Sequence, residues 1–510
     1  MRIPFPVRIP LNRVAIFAAI LFVIQQCEGT APYFSAGCTV FIMISAIAFN
    51  IGGGLSRVSG IYVFLYSTLV VIVGLCYKAY LGEPAESNLL DPHRTIEAYV
   101  GGITVMFAAV YLSRKLSRKT GMMENVLIKS QMYRSSIGCI VLGFAVPLFL
   151  TSLGPEAIRL QKGFAMLDLF VPLGILIGVL YEIQHSNGTR SVNFPVVFAI
   201  LYCFFSGVLS FSKQGMLNPL VCWLLPVCTM RYRLSMLQIA TCLLGTFILF
   251  HYLVPYSQYG RGFIEADKPL DRKIAISLNL LEHPVSTRKK YFEGLAPEAA
   301  LYYNKPQGFW DRLQFISVDD GLINATDQGK VFGLWPVKAS FLQVIPHVIW
   351  PHKPDLRFGN TYTHEFVPNM PQEDTTTGIS YSAIGEAYHW AKWPGVLIVA
   401  PLIWFLFFVV FDALFGDLRA TPWGLLVILS LSHIAPEGMI SGLIFFLTLG
   451  AEAILFSAAC ATWIAPYFAI AVLGPERRIA PHPMTFNHEL DPPQRRPRLW
   501  STVSHQHRDN

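Results

Sequence analysis

Charge is what this chain of 510 residues has least of: Asp, Glu, Lys and Arg make up only 14% of it, and 53% is hydrophobic. Soluble domains carry about a quarter charged residues, so this composition excludes an ordinary soluble globular protein. The net charge of +7 is scattered through connecting segments, with no basic stripe interleaved with aromatics, which excludes nucleic acid as a partner. The nine cysteines lie in or beside apolar runs, with neither CxxC spacing nor a histidine at ligand distance. They read as small buried hydrophobes and supply no disulfide or zinc site. Also missing are the G-x-x-x-x-G-K-[ST] and G-x-G-x-x-G phosphate loops, H-E-x-x-H and G-x-S-x-G. The stretch "IGGGLSRVSG" has the glycines but no P-loop lysine. No nucleotide cofactor and no resident metal is therefore expected.

What the chain has instead is long apolar runs. A membrane span needs about 17–25 mostly apolar residues in sequence, and on that rule about twelve segments qualify. They are centred near Ala19, Ile42, Leu69, Val105, Leu142, Leu173, Ile200, Leu224, Leu244, Ile403, Val427 and Ala459. The expected fold class is an all-α polytopic membrane protein. Orientation follows the Lys/Arg bias of short loops. With the N-terminus cytoplasmic, "SRKLSRKTGMMENVLIKSQMYR", "HSNGTR", "RYR", "GDLRA" and the tail fall inside, so both ends are expected in the cytoplasm. The expected organisation is a first bundle over 1–254 (about nine spans) and a large outer loop domain over 255–393. A second bundle of about three spans covers 394–474, and a basic, proline-rich, disordered tail covers 475–510. A structureless loop as long as the third quarter of the chain would be unusual, so it is expected to fold.

Against this background the ionisable residues stand out. "SFSKQGMLNP" interrupts two apolar runs with Lys213, which the loop parity places at the outer face, where its stem snorkels along apolar neighbours. "GFWDRLQFISVDDGL" sets Arg312 among aromatics; its guanidinium fork suits phosphate. The Asp319–Asp320 pair there has the composition of a base or metal site but reads as a solvated loop. "IPHVIWPHKPDLRFGNTYTHEF" carries His347, His352, Lys353, Arg357 and His364, whose histidine spacings match no zinc motif. Glu386, in "SAIGEAYHW", opens an apolar stretch, where burial raises a carboxyl toward the range of a general base. His433 and Glu437 lie four apart in "LSHIAPEGM", on one face if helical, with Pro436 and Gly438 breaking the helix.

At these residues a family resemblance emerges. "SKQGM" is similar to a short S-[RK]-x-x-[LM] element of the bacterial Wzy-type O-antigen and oligosaccharide repeat-unit polymerases, relatives of the O-antigen ligases. "VIPHVIWPHKP" resembles their I-P-R-x-x-W-P-x-K-P element, with His347 where arginine is common. "TGISYSAIGEAYHWAKWPGV" resembles their T-x-I-G-E-x-Y…G-x-x-G element, and "DRLQ" their loop arginine element. The resemblance implies a multi-pass protein of the bacterial inner membrane whose site faces the periplasm. It implies transfer of a glycan from undecaprenyl pyrophosphate to a sugar hydroxyl of another lipid-linked repeat. Lys213, Arg312, Lys353 and Arg357 would hold the pyrophosphate, and Glu386 or His347 would act as base. Apart from the resemblance, the spacing alone offers His433–Glu437 as a candidate intramembrane pair. A chain-length regulator and a flippase in the same membrane are the implied protein partners, and no cofactor is implied. The alternatives are a ligase-like glycan transferase and a lipid-linked oligosaccharide flippase; few charges in the first nine segments argue against the flippase.

Overall fold

The computed structural model describes residues 1–118, 120–124, 126–127, 129–152, 165–263, 270–294, 302–345, 350, 358–366 and 378–474. Among these the chain is helical throughout, without strands. In order, the apolar helices are α1 (Leu11–Cys27), α2 (Pro32–Ile51), α3 (Val58–Leu81), α4 (Pro92–Leu116), α5 (Met132–Ser152), α6 (Phe170–His185), α7 (Phe194–Leu209), α8 (Lys213–Thr229) and α9 (Met236–Arg261). A polar stretch then contributes α10 (Leu270–Glu282), α11 (Pro284–Glu293), α12 (Ile316–Asp327), α13 (Trp335–Gln343), α14 (Phe358–Phe366) and α15 (Ala383–Ala391). The last group is α16 (Gly395–Phe415), α17 (Pro422–Glu437), α18 (Met439–Trp463) and α19 (Ala465–Leu473).

All twelve apolar segments read from the sequence are helices, and eight of them are long and apolar enough to cross a membrane. The other four, α1, α7, α8 and α17, are 16 or 17 residues long. α8 runs through Pro219 and Pro226 to Thr229, whereas α17 stops just past Pro436 at Gly438.

One expected boundary falls within a helix. The end of the first bundle at residue 254 falls inside α9, which continues through Pro255 to Arg261. A π-helical turn over Leu249–Leu253 precedes that proline and loosens the hydrogen-bond ladder where Pro255 has no N–H to give. Nor does the polar stretch stand apart, for residues 1–473 form one compact unit. The Phe315 amide donates to the Val70 carbonyl of α3 at 3.0 Å, and Tyr66 and Ser382 share a buried hydroxyl contact of 3.0 Å. α12 and α15 pack on each other and on α4, so the polar segments are pinned into the bundle.

The core is aromatic. Tyr62, Trp404, Phe407, Phe408 and Phe411 are fully buried where α3 meets α16, and the Trp404 indole donates to the Tyr62 hydroxyl at 3.2 Å. α4 packs between α2 and α16, and α5 between α6 and α19.

The "SKQG" turn is built by close approach. Ser212 caps α8, its Oγ accepting from the Gly215 amide at 3.0 Å. Gly215 lies against Gly207 of α7, and a Cβ on Gly207 would sit 2.5 Å from the Gly215 carbonyl carbon. Phe211, between them, takes a positive φ of 50°, and its ring stacks on Tyr256 at 4.9 Å. Replacing Gly207 with valine should therefore destabilise the protein by about 1–3 kcal/mol through overpacking. The thermal unfolding midpoint of the detergent-solubilised variant checks this, and an unchanged midpoint would mean the helices separate freely.

Candidate functional site

Lys213 opens α8, and its Nζ lies 3.4 Å from Oε1 of Glu437, the last residue of α17. The other oxygen of Glu437 is 3.4 Å from Nδ1 of His433, one turn back on the same helix. The expected pair is thus present, and Lys213 joins it. Two arginines stand close enough to Lys213 for their charges to act on it: Arg312 and Arg261. Arg312 donates to Gln258 Oε1 at 3.4 Å, and Arg261 donates through Nε to the Phe211 carbonyl at 3.1 Å. The strained Phe211 backbone thereby turns its oxygen to the end of α9. Asp311 lies near Arg312, but its Oδ2 accepts from the Gln307 amide at 2.7 Å. Three cations from α8, α9 and the segment before α12 therefore stand together, one of them, Lys213, paired with Glu437, and His433 half-exposed beside that pair. Such a patch suits a compact polyanion.

Glu386 behaves differently. Its side chain is fully buried in the first turn of α15. Oε2 accepts from the backbone amides of Ile440 at 2.7 Å and Ser441 at 3.0 Å. Oε1 accepts from Ser441 Oγ at 2.8 Å and from the Tyr362 hydroxyl at 3.1 Å. The two amides belong to the first turn of α18, whose N–H groups have no intrahelical partner and whose dipole favours an acid. Immediately before them Met439 takes a positive φ of 58°, a conformation costing a non-glycine residue about 1–3 kcal/mol. Glu386 therefore clamps the break between α17 and α18, and that break is what places Glu437. Burial pushes the Glu386 carboxyl up to about 7, against the pull of its four donors. The neutral acid fits the same clamp: Oε2 still accepts both amides, while a protonated Oε1 donates to one of the two hydroxyls. In this conformation no part of the carboxyl is open to a substrate hydroxyl.

The Asp319–Asp320 pair is buried, where the sequence suggests a solvated loop. Asp319 accepts from the Tyr99 hydroxyl at 2.6 Å and the Ser382 amide at 2.9 Å. Asp320 accepts from the amides of Leu90 at 2.5 Å and Asp91 at 3.0 Å, and from Thr95 Oγ1 at 2.8 Å. The neighbours point to different partners, and both tie α12 to α4. Burial raises both carboxyls, Asp319 to about 6. His389, also fully buried, is pushed down to about 4 by burial; its Nδ1 meets Thr326 Oγ1 at 2.8 Å.

His347, Lys353 and Arg357 lie outside the described residues. Arg261 is the residue that sequence reasoning missed. With the span ended at residue 254, the arginine closing "PYSQYGR" merged into the polar stretch, although a cation at the end of an apolar run was the available signal. Among the described residues no group of three His, Cys, Asp or Glu side chains is placed to hold a metal ion.

No family model, no curated protein and no solved structure matches the chain. The fold and site together define a polytopic helical membrane protein with a cation-rich cluster around an ion-paired carboxylate at a helix break.

The clamp predicts opposite results for two substitutions. Glu386→Ala strands buried donors at about 1–3 kcal/mol each and should sharply lower the yield of folded protein. Glu386→Gln reproduces the neutral acid, its carbonyl taking the amides and its NH₂ facing the hydroxyls, and should fold normally. A folded-state value near 7 lies above the ordinary 4.5, so the neutral form is favoured by folding. That contribution is complete below pH 4.5 and is lost as pH rises toward and through 7. Unfolding midpoints between pH 4.5 and 8 should therefore fall more steeply for the native protein than for Glu386→Gln; parallel curves would contradict this.

Proposed function

We propose that this protein is a metal-independent, lipid-pyrophosphate-dependent glycan transferase that polymerises lipid-linked oligosaccharide repeat units at the outer face of the bacterial inner membrane. The observation that carries the reading is the gathering of Lys213, Arg261 and Arg312 around the Lys213–Glu437 ion pair. A pyrophosphate on a lipid carrier is already an activated leaving group, so the reaction needs no nucleotide. What it needs is positive charge where the departing oxygen becomes anionic. In the proposed step the acceptor sugar hydroxyl attacks the anomeric carbon of the donor glycan. The bond from that carbon to the pyrophosphate oxygen breaks, and the electron pair leaves with the pyrophosphate, held by the three cations.

The hydroxyl proton must go to a base. Glu386 is enclosed by its four donors, whereas His433 is half-exposed and Glu437 faces its Nδ1. His433 is therefore the group we assign to this role, with Glu437 orienting the ring so that Nε2 accepts the proton. Glu386 acts indirectly, by holding the break that carries Glu437.

Lys213→Ala and Arg261→Ala should each abolish polymer while leaving the protein inserted, and Lys213→Arg should keep part of the activity. His433→Ala should cost about 100-fold or more in transfer rate, and Glu386→Gln far less. Normal polymer from Lys213→Ala would end the pyrophosphate reading, and an inactive but folded Glu386→Gln would return the base to Glu386. Lipid intermediates in a deletion strain separate the related activities. Single repeat units on the outer leaflet support a polymerase, finished unattached polymer a ligase, and inner-leaflet retention a flippase. The sidedness is tested at two exposed positions: a cysteine at Lys305 should react with an impermeant reagent from outside, and one at Arg190 should not.

A further inference from the structure

Beside the cation cluster lies a cavity of about 260 Å³ between α9, α11 and the turn that leads into Arg312. Its walls are aromatic: Phe250, Phe292, Phe309 and Trp310 line it. Phe250 and Phe309 stack at 3.7 Å, and one face of Trp310 is braced by Tyr77 at 4.6 Å, so these rings are fixed before any ligand arrives. Trp310 remains 40% exposed. The polar part of the lining is His251, Arg288 and Gln307. Arg288 sits over the Phe292 ring at 5.1 Å, and no carboxylate among the described residues pairs with it. Gln307 is locked by its contact with the Tyr77 hydroxyl at 2.9 Å.

We propose that this cavity is a subsite for one acidic sugar ring of the glycan, the ring's C–H face lying on the aromatic wall and its carboxylate on Arg288. The inference rests on the transferase reading only for the identity of the larger molecule to which the sugar belongs. The volume is below that of pockets for drug-sized ligands, which suits a single pyranose and not an oligosaccharide. A pyranose has one apolar face whose C–H groups meet the negative face of a π system. Its rim of hydroxyls gives His251 and Gln307 partners. An isoprenyl chain in the same place would strip water from Arg288 and His251 and return nothing. A guanidinium that no carboxylate among the described residues pairs adds the demand for an anion, which a neutral hexose does not meet. Trp310 lies two residues from Arg312, so a sugar held here is adjacent to the leaving-group site.

The test uses the full chain in detergent micelles, with methyl β-glucuronide, methyl β-glucoside and inorganic phosphate as probes and saturation-transfer NMR and tryptophan fluorescence as readouts. The glucuronide should bind about tenfold or more tightly than the glucoside, as a charge-assisted contact implies. Arg288→Gln should abolish that preference with an unchanged unfolding midpoint, and Arg288→Lys should restore part of it. Trp310→Ala should weaken both sugars. Equal binding of the two glycosides would overturn the proposal. So would an Arg288-dependent change in tryptophan fluorescence with phosphate, or with vesicles containing anionic lipid, while neither glycoside shows saturation transfer, because Arg288 would then be a lipid-headgroup contact. Lys213→Ala should leave glucuronide binding intact. If that variant also makes normal polymer, the transferase reading fails and the sugar subsite stands; if Arg288→Gln alone keeps its preference, the subsite fails and the transferase reading stands.

Discussion

A single buried carboxylate sets the geometry on which the polar half of this protein depends. Glu386 takes two backbone amides and two hydroxyls, and by doing so it makes a non-glycine residue at positive φ tolerable at Met439. Without that break α17 and α18 would have no reason to part at Glu437. The carboxylate that faces Lys213 and His433 exists at its place because another carboxylate, 51 positions earlier, has satisfied the helix that follows. Burying an acid is expensive, and here the expense is met by complete hydrogen bonding in either protonation state.

The bundle was legible in the sequence because length and apolarity are local properties. Every segment centred from Ala19 to Ala459 is a helix, and the four short ones lack the length that the other eight have. What was not legible was the return of the polar stretch into the bundle. Asp319 and Asp320 look like solvated acids when only their neighbours are known. Their partners, Tyr99, Thr95, Leu90 and Asp91, lie more than two hundred residues earlier, and no local pattern announces such pairing. The boundary expected at residue 254 lies inside a helix, because the π-helical turn before Pro255 lets α9 continue to Arg261.

The site was half legible. Lys213, Arg312, His433 and Glu437 are each conspicuous as ions among apolar or aromatic residues, and the four meet in one cluster. Glu386 was conspicuous for the same reason, but burial alone does not distinguish a base from a clamp. The distinction lies in who its oxygens touch, and those donors sit on α14 and α18, 24 and 55 residues away. An ionisable residue among apolar neighbours signals importance, while its kind of importance is a tertiary fact.

The staple between Asp320 and the start of α4 also dictates an order of events during synthesis. Thr95 and its acceptor are separated by 225 residues, which a ribosome needs about 10–50 s to traverse. For that interval the early helices sit in the bilayer with the hydroxyls of Thr95 and Tyr99 unmet, and only the arrival of α12 completes them. Insertion and final assembly are thus separate stages for this chain. A nascent protein stalled before α12 would have its first nine apolar helices in place yet lack this staple, offering quality-control proteases a recognisable, polar-lined gap beside α4.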